Sequence, residues 1–328
     1  MSSKKTLSLL VISAVLSAPA YAGTVPDEAV KDADGGYFHK ELALVEPLVK
    51  DHAQDAEVQF RYGQALAGIG KLDDGIAALK AAIAIDPNKG IYHRLLAETY
   101  EQKAQQATSP FGMFGLAKAL PVEFQAAVQL DPSDVQAHVD MAMFYIMAPG
   151  LFGGSYSKAH AEEEIIDKLD PIQGLQVRAS EAANKDDVAG AETLLKQAIV
   201  QDKTTGSLIA LGLVYTDAKR YDDAFETFRD ATDKDPKAYA AWYQIGRVAG
   251  FAKTNYDEGI AALKHYLTFD DMPDNIQTPA WAHYRLGNLY EYQGQKDLAR
   301  AEYQAADSAN AGDDNLKSKL EKAMSRLE

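Results

Sequence analysis

Histidine has the widest chemical scope of the side chains in this sequence, because imidazole binds metal ions and exchanges protons near neutral pH. The chain has seven histidines and no cysteine. Three histidines recur at one position of a repeating pattern, which indicates packing: His93, His138 and His283. His160 is followed by Glu163 and Glu164, an arrangement typical of a solvated helix face. Because no His-Glu-x-x-His motif, cysteine pair or aspartate-rich calcium loop is present, we predict neither a metal site nor a cofactor.

Catalytic patterns are also missing from the sequence. The segment Gly68–Lys71 (Gly-Ile-Gly-Lys) resembles a phosphate-binding loop only superficially, because it lacks the five-residue spacing and follows a helical pattern instead of a strand. No Ser-His-Asp or Ser-Lys arrangement follows from residue spacing. We therefore predict no catalytic residues and a protein that is not an enzyme.

The first 22 residues have the three parts of a secretory signal peptide. Lys4 and Lys5 precede an apolar run from Leu7 to Ala18, and Ala20-Tyr21-Ala22 supplies a cleavage site before Gly23. The apolar run is shorter than the roughly 20 residues that span a bilayer. Without a cysteine the mature N-terminus cannot carry a lipoprotein anchor, and no twin arginine precedes the apolar run. We expect export in the unfolded state, cleavage after Ala22, and a soluble protein in the periplasm.

The net charge of the chain argues against some classes of binding partner. The formal net charge is −15, and removing Lys4 and Lys5 with the signal peptide makes it −17. An acidic surface repels phosphate backbones and anionic membrane surfaces, so nucleic acid is not an expected partner.

Asp-Pro pairs divide the sequence at 86–87, 131–132, 170–171 and 235–236, and each follows an amphipathic helical pattern. Before Pro236, large and small residues stand at fixed positions: Leu208, Leu211, Gly212, Tyr215, Ala224, Phe228 and Ala231. This pattern resembles the tetratricopeptide repeat, whose 34-residue unit is a pair of antiparallel helices. Seven copies occupy residues near 56–87, 90–132, 135–171, 172–203, 205–236, 239–272 and 280–311. A half repeat (Phe38–Lys50) precedes them, and residues 313–328 form a capping helix.

The resemblance implies an all-α fold, a single right-handed α-solenoid over residues 23–328. The repeat pattern supports this on physical grounds, because one helix pair cannot bury its apolar face alone and stacked pairs can. Small residues at the two crossing positions of each pair let the helix backbones approach closely. No alternation typical of a strand interrupts the helical periodicity.

Two insertions distinguish the second and third repeats. They lie at 105–115 and 148–154, in the turn between paired helices, so we expect both to emerge from one edge of the solenoid. Their apolar residues stand among glycine and proline: Phe111, Met113, Phe114, Leu151 and Phe152. Three roles are open, namely a satellite core in which the loops pack on each other, a lip or lid over a binding surface, and a contact between two copies of the chain.

The concave face of such a solenoid is lined by inner positions of each first helix. The family resemblance assigns these positions to Phe60, Val139, Met143, Ile146, Ile209, Leu213, Tyr243, Phe251, Trp281, Tyr284 and Tyr292. Either strong curvature buries some of these residues against their neighbours, or they form an apolar trough for a ligand or peptide. Chaperone-binding members of the family hold carboxylates with Lys and Asn at two inner positions of one repeat. No repeat here has that pair.

Two functions agree with these features. The first is a periplasmic interaction module that holds a segment of another exported or envelope protein in the aromatic groove. The alternative is a carrier of a lipid-like hydrophobic small molecule, with the two insertions as lip or lid. A homo-oligomer is compatible with both.

Overall fold

A computed structural model describes residues 23–106, 110–310 and 312–328, with the side chains of 110–113 left out of the description. Every regular element in these ranges is helical. The predicted signal peptide, residues 1–22, lies outside the described residues. None of the helices in the described ranges combines the length and apolar character needed to cross a bilayer. The chain divides into two compact units, an N-terminal unit (23–186 with 273–275) and a C-terminal unit (187–272 with 276–328).

The N-terminal unit contains nine helices and two short 3₁₀ turns among its described residues. The helices are α1 Asp27–Asp34, α2 Phe38–Val45, α3 Ala56–Gly68, α4 Leu72–Ile85, α5 Gly90–Gln106, α6 Pro110–Leu130, α7 Val135–Met147, α8 Tyr156–Leu169 and α9 Pro171–Asn184. The 3₁₀ turns span Glu46–Leu48 and Gly150–Phe152. Helix α2 corresponds to the predicted half repeat, and α1 is a helix that the sequence pattern did not reveal.

The C-terminal unit contains eight helices among its described residues. They are α10 Val188–Gln201, α11 Gly206–Asp217, α12 Tyr221–Lys234, α13 Tyr239–Ala252, α14 Tyr256–Tyr266, α15 Pro279–Tyr292, α16 Lys296–Ser308 and α17 Asp314–Leu327. Helices α11 with α12, α13 with α14, and α15 with α16 pack as antiparallel pairs, and α17 packs on α16. Helix α17 lies where the capping helix was expected.

Glycine allows the close crossing of paired helices that the repeat pattern predicted. A Cβ added to Gly246 in α13 would lie 2.2 Å from Cγ of Leu263 in α14. A Cβ added to Gly63 in α3 would lie 2.8 Å from Cγ of Leu79 in α4. Both distances are far inside van der Waals contact, so any larger residue would push the two helices apart.

The Asp-Pro pairs form one recurring turn between successive helix pairs. Each aspartate accepts a hydrogen bond from the backbone N–H two residues later, at 3.1 Å for Asp86, 3.1 Å for Asp131, 3.0 Å for Asp170 and 2.9 Å for Asp235. Such a turn fixes the backbone where a helix ends, and proline prevents the helix from continuing. The carboxylate and the ring therefore act together to redirect the chain.

Two of the three histidines at the shared repeat position, His93 and His138, contact the same turns, whereas His283 contacts Glu302. His93 Nε2 lies 3.3 Å from the Pro87 carbonyl oxygen, and His138 Nε2 lies 3.1 Å from the Pro132 carbonyl oxygen. In the C-terminal unit Trp242 occupies the equivalent position and donates its indole N–H to the Pro236 carbonyl at 3.0 Å. The packing role predicted for these positions includes a hydrogen bond to the turn that precedes the helix.

The first insertion is largely helical, contrary to the expected loop. Residues 105–106 belong to α5 and residues 110–115 to α6, and only 107–109 lie outside the described residues. The extra residues therefore lengthen both helices of the pair. Proline at position 110 begins α6, where its missing N–H costs nothing because the first helical N–H groups have no partner within the helix. The expectation of a loop rested on glycine and proline content, which a helix start also tolerates.

Candidate functional site

The predicted groove residues fall into two classes by burial. Six are at most 8% exposed and serve the core: Phe60, Val139, Ile146, Ile209, Leu213 and Tyr243. Met143, Trp281 and Tyr284 are partly buried, whereas Phe251 and Tyr292 are 43% and 46% exposed. Curvature or close packing thus removes about half of the predicted lining from the surface. The accessible aromatic residues are concentrated in the C-terminal unit.

These accessible aromatics line one pocket of about 250 Å³ between α13, α15 and α17. Phe251, Tyr284 and Tyr292 form its apolar walls, and Gly250 lies between them. The other lining residues are Gly246, Arg285, Asn288, Leu289 and Arg326. The pocket thus combines aromatic surface with two guanidinium groups, and all of it belongs to the C-terminal unit. We call it the aromatic pocket.

Arg285 lines this pocket, and Arg247 lies next to its wall residue Phe251. Arg285 lies 5.8 Å from the ring centroids of Phe251, Trp281 and Tyr284, and Arg247 lies 5.0 Å from that of Phe251. Their hydrogen bonds go to neutral groups, from Arg247 Nη1 to Gln244 Oε1 at 3.0 Å and from Arg285 Nε to the Tyr243 hydroxyl at 3.4 Å. Burial, and then the charge of Arg285, lower the pKa of Arg247. The charge of Asp217 opposes part of this shift.

The remaining charges at the pocket neutralise each other. Arg326 of α17 binds Glu291 through two hydrogen bonds of 2.8 and 2.9 Å. The hydroxyl of Tyr303 also donates to Glu291 at 2.6 Å. Arg326 lowers the pKa of Glu291, so this carboxylate is ionised and already has its partners. The net positive charge of the aromatic pocket therefore comes from Arg285, with Arg247 next to it.

Inner positions of the N-terminal unit carry charge of a different kind. Arg94 of α5 lies 2.6 Å from Glu98, 3.3 Å from Asp134 and 3.7 Å from Asp140. All four side chains are at most 30% exposed. Gln136 donates a further hydrogen bond to Asp140 at 2.7 Å. We call this cluster the Arg94 network. It contains more acidic than basic groups, so its only cation is already paired and is not available to bind an anionic ligand.

The two insertions meet at a small aromatic contact. The rings of Phe114 and Phe152 lie 5.7 Å apart in an edge-to-face arrangement, and the Lys118 ammonium lies 4.5 Å from the ring centroid of Phe114. Leu151 beside them is 85% exposed and Phe114 is 44% exposed. The side chains of Phe111 and Met113 lie outside the described residues. The contact agrees with the satellite-core reading of the insertions.

The face that carries His160 is not fully solvated, contrary to the sequence interpretation. Glu163 is only 5% exposed, because it faces α9, where Glu181 is also 5% exposed. His160 Nε2 lies 3.0 Å from both carboxylate oxygens of Glu181. Burial, and then the neighbouring Glu181, raise the pKa of Glu163 to about 7. Helix periodicity within α8 cannot show that a second helix covers one side of it.

Arg285 and Arg326 were missed when inner positions were assigned by resemblance. A usable signal was present, because a surface arginine on a helix commonly has an acidic residue three or four positions away. Arg94 has Glu98 and Arg61 has Glu57, whereas Arg247 and Arg285 have none at either spacing. Arginine without an acidic neighbour on an aromatic helix face could therefore have indicated this site.

Comparison with known proteins agrees with the helical repeat architecture. A family model described as tetratricopeptide repeat matches residues 42–89, 177–239 and 209–275, and a second model of that description matches 282–313. No curated protein matches the sequence.

Solved structures with similar folds come from distant proteins. Yeast Tom70 aligns with 16% identity and a TM-score of 0.66 over 95% of this chain, and the match spans 66% of the Tom70 chain. The human IFIT1 dimer with PPP-AAAA aligns with 17% identity and a TM-score of 0.54 over 91% of this chain and 72% of that one. At these identities the likeness concerns the fold alone.

Proposed function

We propose that this chain, which belongs to the tetratricopeptide repeat family, is a non-catalytic periplasmic module that holds a segment of another exported or envelope protein. The family and the fold support an interaction scaffold in general. Fold alone does not identify a partner, so the finer proposal depends on the chemistry of the site. We place the binding of that segment at the aromatic pocket.

One observation carries the proposal, namely two neighbouring arginines that lie among aromatic rings and donate hydrogen bonds to neutral groups. Bringing two cations together and removing one of them from water destabilises the protein. An anionic ligand would offset this cost, because a carboxylate binds guanidinium groups through charge-assisted hydrogen bonds. The aromatic walls would at the same time take up an apolar side chain.

The chemistry of the pocket specifies the bound segment. A single carboxylate, from an acidic residue or a chain terminus, would lie between Arg247 and Arg285. An adjacent apolar or aromatic residue of the segment would contact Phe251 and Tyr292. A long polyanion is disfavoured, since the mature chain carries a net charge of about −17 and repels extended negative charge.

Site-specific photo-crosslinking in the periplasm of the native host tests this proposal. Benzoylphenylalanine at position 292 would line the pocket. It should therefore form a crosslink to one discrete protein, which mass spectrometry identifies. The same probe at Val200, which is 86% exposed in the same unit, is the matched control. A defined product at 292 and none at 200 supports the proposal, and equal products at both positions contradict it.

Charge variants then show whether the arginines bind the partner. Arg285→Gln should weaken capture about tenfold, because a hydrogen bond to a charged group contributes about 1.5 to 3 kcal/mol. Arg229→Gln removes one positive charge from α12 of the same unit, where Arg229 binds Glu258, and should leave capture unchanged. Loss in both variants would indicate a general effect of charge. Tyr243→Ala is unsuitable, because Tyr243 is 3% exposed and its loss would open a cavity.

The carrier of a hydrophobic small molecule stays the second candidate, on the evidence of the exposed apolar residues at the insertions. Native mass spectrometry of mature protein purified from its host separates the two functions. An extractable adduct of a few hundred daltons, lost on Phe114→Glu or Phe152→Glu, would favour the carrier. A co-purified protein that these substitutions do not affect would favour the interaction module.

A further inference from the structure

Three potential metal ligands converge in the N-terminal unit, which contains none of the aromatic pocket residues. His160 and Glu163 stand three residues apart on one face of α8, and Glu181 comes from the last turn of α9. One ligand atom from each lies within 4.8 Å of the other two. Within the part of the chain that the structure describes, this is the one group with that geometry.

The carboxylate of Glu163 provides an independent indication of a ligand. The residue is 95% buried, and its Oε1 atom has no hydrogen-bond partner in the described structure. A buried carboxylate oxygen without a partner is costly, because it has lost its water and gained nothing in return. The same carboxylate belongs to the converging group, so an ion bound there would compensate its burial.

A lysine now compensates part of the negative charge. Lys185, just beyond the end of α9, forms an ion pair with Glu181, and its side chain is 44% exposed. Its ammonium also lies 4.2 Å from the ring centroid of Tyr156. An exposed lysine on a flexible stem can rotate into solvent at little cost. The ammonium therefore occupies the place of a cation without closing the site.

We propose that His160, Glu163 and Glu181 bind a divalent transition-metal ion of the zinc type. The ligand set of one imidazole and two carboxylates suits zinc, whereas calcium and magnesium prefer six or more oxygen ligands. Two ligand atoms on one tetrahedral zinc ion lie about 3.3 Å apart. The distance of 3.0 Å from His160 Nε2 to Glu181 Oε1 is already close to that value. Water would complete the coordination, and Lys185 would leave Glu181.

Isothermal titration of the mature, metal-stripped chain with ZnCl₂ tests the site. The wild-type chain should bind one zinc ion, and Glu163→Gln and His160→Gln should each weaken binding by at least about tenfold. Glu164→Gln is the matched control, because Glu164 is the exposed neighbour of Glu163. Lys185→Gln should bind zinc more tightly than wild type, since the competing ammonium is gone. CaCl₂ should produce no comparable binding.

The outcomes distinguish a specific zinc site from the alternative of an adventitious ion only. If Glu163→Gln and Glu164→Gln weaken zinc binding equally, or neither does, the ion binds surface carboxylates and the proposal is wrong. Weaker binding by Lys185→Gln would also contradict it, because the lysine would then support the ligands. Thermal unfolding in EDTA checks that each variant is folded. Glu163→Gln should be at least as stable as wild type there, as it removes an ionisable group from a buried position.

Discussion

Arginine has opposite surroundings in the two units of this protein. In the N-terminal unit Arg94 lies within 4 Å of three carboxylates, in a network that is mostly buried. In the C-terminal unit Arg247 and Arg285 contact aromatic rings and neutral acceptors, and Arg285 lies close enough to Arg247 to disfavour the charge of Arg247. Arg94 and Arg247 occupy inner positions of the first helices of their repeats, and Arg285 directly follows the inner position of Tyr284. The same helical framework therefore carries an arginine surrounded by carboxylates in one unit and a pair of arginines among aromatic rings in the other.

The difference separates structural charges from charges that are available for binding. The carboxylates around Arg94 offset the cost of its burial. Removing either the carboxylates or Arg94 would leave a buried charge without a partner. At Arg247 the charge of Asp217 opposes only part of the effect of burial and of Arg285, so the charge of Arg247 destabilises the free protein. Natural proteins commonly retain residues at binding sites that lower the stability of the free protein. The comparison leads to four measurements, from the largest expected effect to the smallest.

Replacing Arg94 should cause the largest loss. We expect Arg94→Met to destabilise the N-terminal unit by about 3 to 5 kcal/mol, the usual cost of breaking a buried ion pair from one side. Burial and the charge of Glu98 raise the pKa of Asp140 and Arg94 opposes the shift, so without the guanidinium Asp140 would be protonated and Glu98 and Asp134 would lose their cation. Amide hydrogen exchange in α5 and α7, with chemical denaturation in parallel, measures the change where it occurs. Arg94→Lys keeps the charge and should lose less, and equal losses would mean that packing matters more than charge.

A buried acid in the same unit lacks the compensation that Arg94 has. Glu41 of α2 is fully buried, and neither of its carboxylate oxygens has a hydrogen-bond partner. Burial raises the pKa of Glu41 to about 9, with Arg61 opposing the shift only in part. In the folded protein the Glu41 carboxyl group is therefore protonated at neutral pH.

Glu41→Gln should consequently stabilise the protein in a pH-dependent manner. Between its ordinary pKa of 4.5 and about 9, the unfolded state ionises while the folded state does not, so rising pH favours unfolding. We expect a gain of about 2 kcal/mol for the variant at pH 7.5, because each pKa unit is worth about 1.4 kcal/mol and local relaxation reduces the total. The gain should disappear near pH 4.5 in thermal unfolding scans. A pH-independent gain would place its origin in packing.

Much of the fold could be predicted from the sequence, because repeat positions impose local requirements. The glycines at helix crossings and the Asp-Pro turns lie within single repeats, so Gly246 against Leu263 followed from pattern alone. The insertion at 105–115 was interpreted wrongly for a related reason. Its glycine and proline content was weighed without knowing that Pro110 could begin a helix that continues to Leu130.

The candidate sites were less accessible to sequence reasoning, because they depend on which helix covers which face. The burial of Tyr243 at an inner position and the exposure of Tyr292 on α15 follow from packing between repeats, which no single repeat encodes. Glu163 was predicted to be solvated because it is adjacent to Glu164 on α8, and the sequence of α8 alone does not distinguish the two residues. Only the position of Glu181 on α9 shows the difference between the two carboxylates.

The arginines of the aromatic pocket should behave in the opposite way to Arg94. We expect Arg247→Met to leave stability unchanged or to raise it by about 1 kcal/mol, since the variant relieves desolvation and the repulsion from Arg285. Hydrogen exchange in α13 and α15 measures this effect in the C-terminal unit. Added salt should stabilise the wild type more than the variant by screening the like charges. A loss comparable to that of Arg94→Met would show that Arg247 is structural, and the comparison between the units would fail.

The smallest effect concerns a cation that is paired on both sides. His138 is 4% exposed, its Nδ1 lies 2.6 Å from Glu162, and its Nε2 lies 3.1 Å from the Pro132 carbonyl oxygen. Both nitrogens face acceptors, so the protonated ring satisfies both. The hydrogen bond to Glu162 raises the pKa of His138, and burial opposes the shift.

Stability from a raised histidine pKa is present in full below about pH 6.5 and is lost as pH rises through the folded-state pKa. We therefore expect His138→Gln to destabilise the N-terminal unit by about 1 kcal/mol at pH 6, the low end for a charge-assisted hydrogen bond. The deficit relative to wild type should shrink towards pH 8.5. His52→Gln, at an exposed position of the same unit, is the matched control and should show no such trend. A constant deficit across this range would mean that neutral His138 supplies the hydrogen bond, as Trp242 does at the equivalent position in the C-terminal unit.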